Sequence, residues 1–230
     1  MNTIAARRTA LLSRIRNAEA AAGRTAGEVR LVAVSKTFPV AAVREAIAAG
    51  VSDIGENYIQ EAREKFEALQ GNPVAWHFIG HLQTNKAKYA VRMFDLIHTV
   101  DSYRLALEIN RCARNINKAQ AVLIQVNVAG EASKSGVAPE EALPLIRRAA
   151  ALENIAVKGL MTLPPYFNAP EKVRPFFAAL RRLRDRIDAE HIPGIGRQEL
   201  SMGMTGDFEA AIAEGATIVR IGTALFGERA

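Results

Sequence analysis

Lys36 closes an apolar run, Leu31-Val32-Ala33-Val34-Ser35, where a lysine serving only solubility has little reason to stand. Such a run reads as a buried parallel strand. The carboxyl end of such a strand opens onto the face where α/β sheets and barrels build their sites. An amine withdrawn from water there loses its proton more readily and becomes a candidate Schiff-base nucleophile. A lysine snorkelling from a strand end into solvent would give the same local pattern, so the other chemistry-bearing residues must decide between the two.

Arg220 is a second charge set in an apolar run, Ile218-Val219-Arg220-Ile221, and alternation turns it away from the face of Val219 and Ile221. An inward charge needs a partner. One candidate is a buried acid such as Glu56; another is the nitrogen of a pyridine ring, which a guanidinium donor would keep unprotonated, making the ring a weak electron sink. Two segments rich in small and polar residues, Ser201-Met202-Gly203-Met204-Thr205-Gly206-Asp207 and Gly222-Thr223-Ala224-Leu225-Phe226-Gly227, fall after the seventh and eighth predicted strands. In (β/α)8 barrels those loops commonly hold phosphate. The Ser201 and Thr223 hydroxyls and the Gly203, Gly222 and Thr223 amides could hold such an anion, with Thr205 placed to cap the next helix. Ordinary turn chemistry would account for either loop alone.

Four further places deserve weighing. His77 and His81 stand four apart in Trp76-His77-Phe78-Ile79-Gly80-His81, but a strand and the loop beyond it carry them, so they do not form a helical metal pair. His81 is a candidate to line the pocket, and His77 fits a satisfied core histidine equally well. Asn57 follows the second strand and is another polar candidate for the mouth. Lys134, in Gly130-Glu131-Ala132-Ser133-Lys134-Ser135-Gly136, sits on a stretch that would serve as a lid or as a plain solvated loop. Met161, Met202 and Met204 end strands, and their soft side chains suit either an aromatic ligand or core filling.

The elements that must carry these residues repeat one unit, a β-rich run followed by an amphipathic helical run. Strands are expected near 30–35, 53–56, 75–80, 96–100, 121–128, 157–162, 199–202 and 217–221. Helices are expected near 40–49, 58–69, 85–94, 102–115, 139–152, 170–190 and 207–214, after a first helix within 1–23. Eight such units in a 230-residue chain favour a single (β/α)8 barrel over an open doubly wound sheet, and no early G-x-G-x-x-G supports a dinucleotide fold. Hydrophobic residues make up 49% and charged residues 23%, a globular composition with no linker to divide residues 1–230, and no apolar run approaches the roughly 20 residues of a membrane span. One cysteine, Cys112, allows no disulfide framework within the chain and points to a reducing compartment. The arginine-rich first segment reads as a helix packed on the domain rather than a transit peptide. The formal charge of +6 is dispersed and mixed with acids, which argues against a nucleic-acid partner.

Taken together, Val34-Ser35-Lys36-Thr37, Gly55-Glu56-Asn57-Tyr58, His77-Phe78-Ile79-Gly80-His81-Leu82-Gln83, Ser133-Lys134-Ser135-Gly136, Gly159-Leu160-Met161, Leu200-Ser201-Met202-Gly203-Met204 and Arg220-Ile221-Gly222-Thr223-Ala224-Leu225-Phe226-Gly227 resemble the pyridoxal 5'-phosphate (PLP) homeostasis protein family, also called the YggS-like or proline synthase co-transcribed family. The resemblance runs from the first strand to the C-terminus. It implies an alanine racemase N-terminal-domain-like TIM barrel, a cytoplasmic monomer, and PLP held as an aldimine on Lys36. It also implies phosphate contacts from Ser201, Gly203, Met204, Gly222 and Thr223, a pyridine-facing Arg220, and Asn57, His81 and Met161 near the pocket. Lys134 matches a lysine implicated in cofactor handling by some relatives. Some relatives carry further lysines just after Lys36 and at the extreme C-terminus. Here Phe38 follows and the chain reads Glu228-Arg229-Ala230, so a relay through such lysines is not expected.

The expected function is therefore a carrier that holds PLP reversibly, maintains vitamin B6 homeostasis and makes transient contact with apo-enzymes, without nucleic acid, membrane or metal and without strong turnover of its own. The alternatives are a PLP-dependent amino-acid racemase, which needs an acid/base group on each face of its substrate, and a cofactor-free Schiff-base aldolase. The racemase reading is weakened by the lack of a second, β-rich domain within these residues, and Arg220 fits the aldolase less naturally.

Overall fold

The computed structural model describes residues 3–131, 134–165, 167, 169–195 and 199–228. In chain order the elements are α1 (Ile4–Ala21), β1 (Arg30–Val34), α2 (Val40–Ala48), β2 (Asp53–Glu56), α3 (Ile59–Ala68), β3 (Ala75–Phe78), α4 (Ala87–Met93), β4 (Leu96–Val100), α5 (Tyr103–Arg114), β5 (Gln120–Gln125), α6 (Pro139–Ala150), β6 (Ile155–Met161), α7 (Pro170–Ala189), β7 (Glu199–Ser201), α8 (Phe208–Ala213), β8 (Ile218–Ile221) and α9 (Thr223–Phe226). The eight strands pair in parallel, each with its chain neighbours, and β8 returns to β1 to close the barrel. Strands in such a barrel are covered on both faces, so they read as nearly continuous apolar runs, and all five residues of β4 are buried.

Two apolar layers result. The larger lies between barrel and helices and includes Ile54, Phe78, Phe94, Ile109, Phe177 and Phe208. A smaller one fills part of the barrel lumen with Val32, Leu96, Leu123, Met161 and Ile218. The rest of the lumen is polar, with Asp53, His77, His98, Ser201 and Arg220 all buried.

Helix α1 lies against α8 and α9. Thr3 caps it by accepting from the Ala6 N–H at 3.2 Å. Ile4, Leu11 and Ile15 bury its apolar stripe, and the buried Glu19 carboxylate accepts from the Gly27 and Val29 N–H groups at 3.1 and 2.7 Å, tying the helix to the entry of β1. Several expected boundaries move by one or two residues. The strand expected over 121–128 pairs only as Gln120–Gln125, with Val126 bridging Val137 alone. Thr205 does not cap the next helix: Asp207 stands at the N-cap, and its Oδ1 accepts from the Met204 N–H at 2.6 Å. Helix α9, four residues long, is too short to leave a periodic signal.

No described helix is long and apolar enough to cross a membrane.

One close approach matters for the site. A Cβ built on Gly80 would stand 2.1 Å from the Asn57 carbonyl oxygen, so the loop after β3 packs backbone to backbone on the residue that follows β2. Gly80→Ala must push these loops apart, and overpacking of this kind costs about 1 to 3 kcal/mol. The urea midpoint is expected to fall accordingly, and an unchanged midpoint would contradict the packing.

Candidate functional site

The strand ends converge on a pocket of about 400 Å3 lined by Val34, Lys36, Asn57, Ile79, Leu163, Phe167, Met204, Thr205, Gly206, Asp207, Arg220, Gly222 and Thr223. It lies at the carboxyl ends of the strands, where barrel sites are built. Of the residues expected at the site, Lys36, Asn57, Met204, Arg220, Gly222 and Thr223 meet here.

The others are placed differently. Ser201 is fully buried beneath the pocket, where its hydroxyl accepts from Arg220 Nη1 at 2.6 Å and lies 2.9 Å from His98 Nδ1. Gly203 has φ +94°, and a Cβ there would come within 2.6 Å of the Ala211 Cβ. Its glycine therefore answers to packing on α8, while its carbonyl accepts from the Arg220 N–H at 3.0 Å. Met161 fills the lumen layer. His81 is exposed, with Nδ1 3.2 Å from Ser135 Oγ and 3.8 Å from Asp101 Oδ2, and so meets the loop after β5 rather than the pocket. Lys134 pairs with Glu131 at 3.4 Å. That loop is gathered by the Gln125 amide donating to the Ser135 carbonyl at 3.0 Å and the Asn127 amide donating to the Glu131 carbonyl at 2.8 Å. Ala132 and Ser133 of the lysine motif lie outside the described residues.

The turn that carries Lys36 is held from both sides by charges absent from the sequence reading. Lys65, on α3 and only 3% exposed, donates to the Ser35 carbonyl at 2.6 Å, to Glu56 Oε1 at 2.6 Å and to Glu61 Oε1 at 2.7 Å. The Ser35 hydroxyl donates to the same Glu56 oxygen at 2.5 Å. Glu61 in turn accepts from the Thr37 N–H. Thr37 has φ +69°, a left-handed conformation that is uncommon for a β-branched residue and persists only where the surroundings impose it. The residues on either side of Lys36 are thus clamped by one buried ammonium and two carboxylates. Phe38 stacks on Phe226 with centroids 4.9 Å apart.

On the neighbouring strand β8, Arg220 also lines the pocket; it is 3% exposed and donates to the Ser201 hydroxyl and, from Nη2 at 2.9 Å, to the Thr162 carbonyl. Glu56 is taken by Lys65, so the expected Arg220–Glu56 alternative does not occur. Among the described residues no carboxylate forms an ion pair with Arg220; burial brings its guanidinium down to about 10, against the longer-range pull of Asp207. Burial raises the proton affinity of Asp207, whose Oδ1 accepts from the Met204 N–H, and Asp207 shares the pocket lining with Gly222 and Thr223 at the start of the α9 turn. The first N–H groups of that turn have no partners inside it. Asn57 Oδ1 is buried without a hydrogen-bond partner among the described residues. An orphaned acceptor, a buried guanidinium, a lysine and small residues in one pocket fit a compact aromatic aldehyde phosphate.

A closed parallel barrel with a lysine after its first strand and small-residue loops after its seventh and eighth defines an alanine racemase-like class, and the alanine racemase N-terminal domain family matches residues 9–230. An alanine racemase structure from Clostridium difficile, 18% identical, superposes with a TM-score of 0.73 over 94% of this chain and 55% of its own, which is a likeness of fold. More specific are the pyridoxal phosphate homeostasis proteins of Aquifex aeolicus, 49% identical over 95% of each chain, and Pseudomonas aeruginosa, 46% identical over 100% of this chain and 97% of that one. A structure of PipY from Synechococcus elongatus with PLP bound is 36% identical, with a TM-score of 0.85 over 97% of this chain and 100% of its own. The chain belongs to the pyridoxal phosphate homeostasis protein family.

Removing one member of a buried ion cluster leaves the other charges uncompensated, at a cost of about 3 to 5 kcal/mol. Lys65→Met should lose that much stability near neutral pH. Burial already raises the proton affinity of Glu56, and loss of the ammonium raises it further. Below its folded pKa Glu56 is neutral and the penalty fades, so the gap to the native protein should narrow from about pH 8 to about pH 5. Urea melts across that range check this; a gap that widens in acid would contradict it.

Proposed function

We propose that this chain binds pyridoxal 5'-phosphate reversibly on Lys36 and serves PLP homeostasis, with no strong turnover of its own. The observation that carries the reading is the presence, in the lining of one pocket, of Lys36 and a buried Arg220 that has no ion-pair partner among the described residues. It is supported by the family and by the PLP-bound relative.

When bound, PLP supplies an aldehyde that reacts reversibly with an amine and a ring that can accept electrons. Lys36 provides the amine, held by the Ser35–Lys65–Thr37 clamp. A guanidinium can only donate, so Arg220 set against the ring nitrogen would leave that nitrogen without a proton and the ring's electron-withdrawing power low. Asn57 Oδ1 offers an acceptor, Met204, Leu163 and Phe167 give apolar walls, and the Gly222 and Thr223 amides with the Thr223 hydroxyl receive the phosphate. Ser201, Gly203 and Met161 act from beneath, by fixing Arg220, the loop on α8 and the lumen. His81 and Lys134 lie at the outer loops; we keep Lys134 as the candidate for cofactor handling and His81 as a candidate cofactor contact.

We further read residues 1–230 as one unit, with α1 packed on the barrel, acting as a cytoplasmic monomer that meets apo PLP-dependent enzymes transiently and binds neither nucleic acid nor membrane.

The test is incubation with PLP, absorbance before and after borohydride, and mass analysis of the digest. The expected result is a band lost on reduction and a pyridoxyl-phosphate mass on Lys36. Lys36→Ala should lose the covalent adduct and keep weak binding through the phosphate subsite. A protein that stays colourless, or an undiminished adduct in Lys36→Ala, would overturn the reading.

A further inference from the structure

Behind Arg220 a single line of hydrogen bonds crosses the barrel lumen. Arg220 Nη1 donates to Ser201 Oγ at 2.6 Å, Ser201 Oγ lies 2.9 Å from His98 Nδ1, His98 Nε2 lies 2.9 Å from His77 Nδ1, and His77 Nε2 lies 3.0 Å from Asp53 Oδ1. The line draws one side chain from each of β8, β7, β4, β3 and β2, and His77, His98 and Ser201 are at most 1% exposed. At its far end Asp53 begins β2, where the half-exposed Arg30 comes within 3.9 Å of it and within 3.4 Å of Glu199. The line therefore runs from the amino-terminal mouth of the barrel to the pocket.

With both histidines neutral, the two ends fix the direction of every bond between them. A guanidinium can only donate and an ionised carboxylate can only accept. Ser201 Oγ, having accepted from Arg220, has its own proton left for His98 Nδ1. His98 Nδ1 must then be bare and Nε2 must carry the proton, which goes to His77 Nδ1. His77 is likewise bare at Nδ1, and its Nε2 proton goes to Asp53. Burial holds the proton affinity of His98 well below the usual histidine range, so His98 is neutral, and the bonds from His77 and Ser52 hold Asp53 below the usual carboxylate range against the opposing effect of burial, so Asp53 is the accepting end. The opposite tautomer of His98 would aim two donors at Ser201 and leave the serine proton without this acceptor, an arrangement that buried polar groups avoid.

We infer that His98, His77 and Asp53 are positioning residues for Arg220, acting through Ser201. They present the guanidinium with an oriented neutral acceptor in place of a carboxylate, so its charge stays directed at the pocket. The line moves no proton into the pocket, because the guanidinium at its end gives none up. The consequence for cofactor binding rests on the PLP reading above; the tautomers and the hold on Arg220 do not.

The experiment is nitrogen-15 NMR of the unliganded protein and of His98→Leu, followed by PLP titration of both. In the native protein His77 and His98 should both be neutral with the proton on Nε2, and in His98→Leu the Arg220 side-chain N–H signals should shift and broaden. PLP affinity should fall about tenfold, the scale of one buried group left unsatisfied, and the absorbance maximum of the bound cofactor should move, which loss of packing alone would not cause. If His98→Leu does not fold, Ser201→Ala breaks the same line and takes its place. Nδ1-protonated or charged histidines at pH 7, or Arg220 signals unchanged in the variant, would overturn the inference. Failure of the native protein to bind PLP, with these tautomers found, would overturn the function and leave the line standing.

Discussion

Lys65 brings a positive charge to a place that is almost dry, and much of the site follows from how that charge is satisfied. An ammonium with 3% of its surface exposed must be surrounded by acceptors. It has the Ser35 carbonyl and the Glu56 and Glu61 carboxylates. These three acceptors come from the end of β1, the end of β2 and the first turn of α3. Satisfying one charge therefore fixes how α3 packs over two strands. The turn at Lys36 is caught between them, and the left-handed Thr37 is held by the same cluster. A strained backbone beside a reactive group persists only where surroundings of this kind determine it.

The same constraint acts in the lumen. A barrel of eight strands encloses just enough room for side chains, and the apolar layer of Val32, Leu96, Leu123, Met161 and Ile218 fills only part of it. Arg220 lies near the pocket end of the remainder and needs acceptors from the barrel itself. Ser201 and the Thr162 carbonyl supply them without neutralising the guanidinium. A carboxylate there would have quenched it. With Glu56 committed to Lys65, the two buried cations are partnered differently, and only one is directed at the pocket.

Much of this was legible in the sequence, for definite reasons. Strands covered on both faces must be apolar throughout, which made the eight runs visible and made Lys36 and Arg220 conspicuous as interruptions. The same logic marks His98, in Leu96-Ile97-His98-Thr99-Val100, as a polar residue in a buried strand, and that signal went unused. Lys65 gave no such signal, because Glu61 and Lys65 four apart on an amphipathic helix read as a solvated pair. Only the tertiary packing of α3 turns that pair inward. Ser201 was legible as a polar residue at a strand end, but register decides that its hydroxyl meets Arg220, and no local pattern encodes that. Gly203 likewise answers to α8 packing, a contact across the barrel wall that no local pattern encodes.

The central claim is that Lys36 and Arg220 line one pocket and face a single bound PLP, with Arg220 still held by neutral acceptors. A crystal structure of the protein grown with PLP tests this most directly. The account predicts continuous density from Lys36 Nζ into the cofactor, the guanidinium at the ring nitrogen and on Ser201 and the Thr162 carbonyl, and the phosphate at Gly222 and Thr223. Cofactor density joined to another lysine, or Arg220 swung onto a carboxylate, would contradict it.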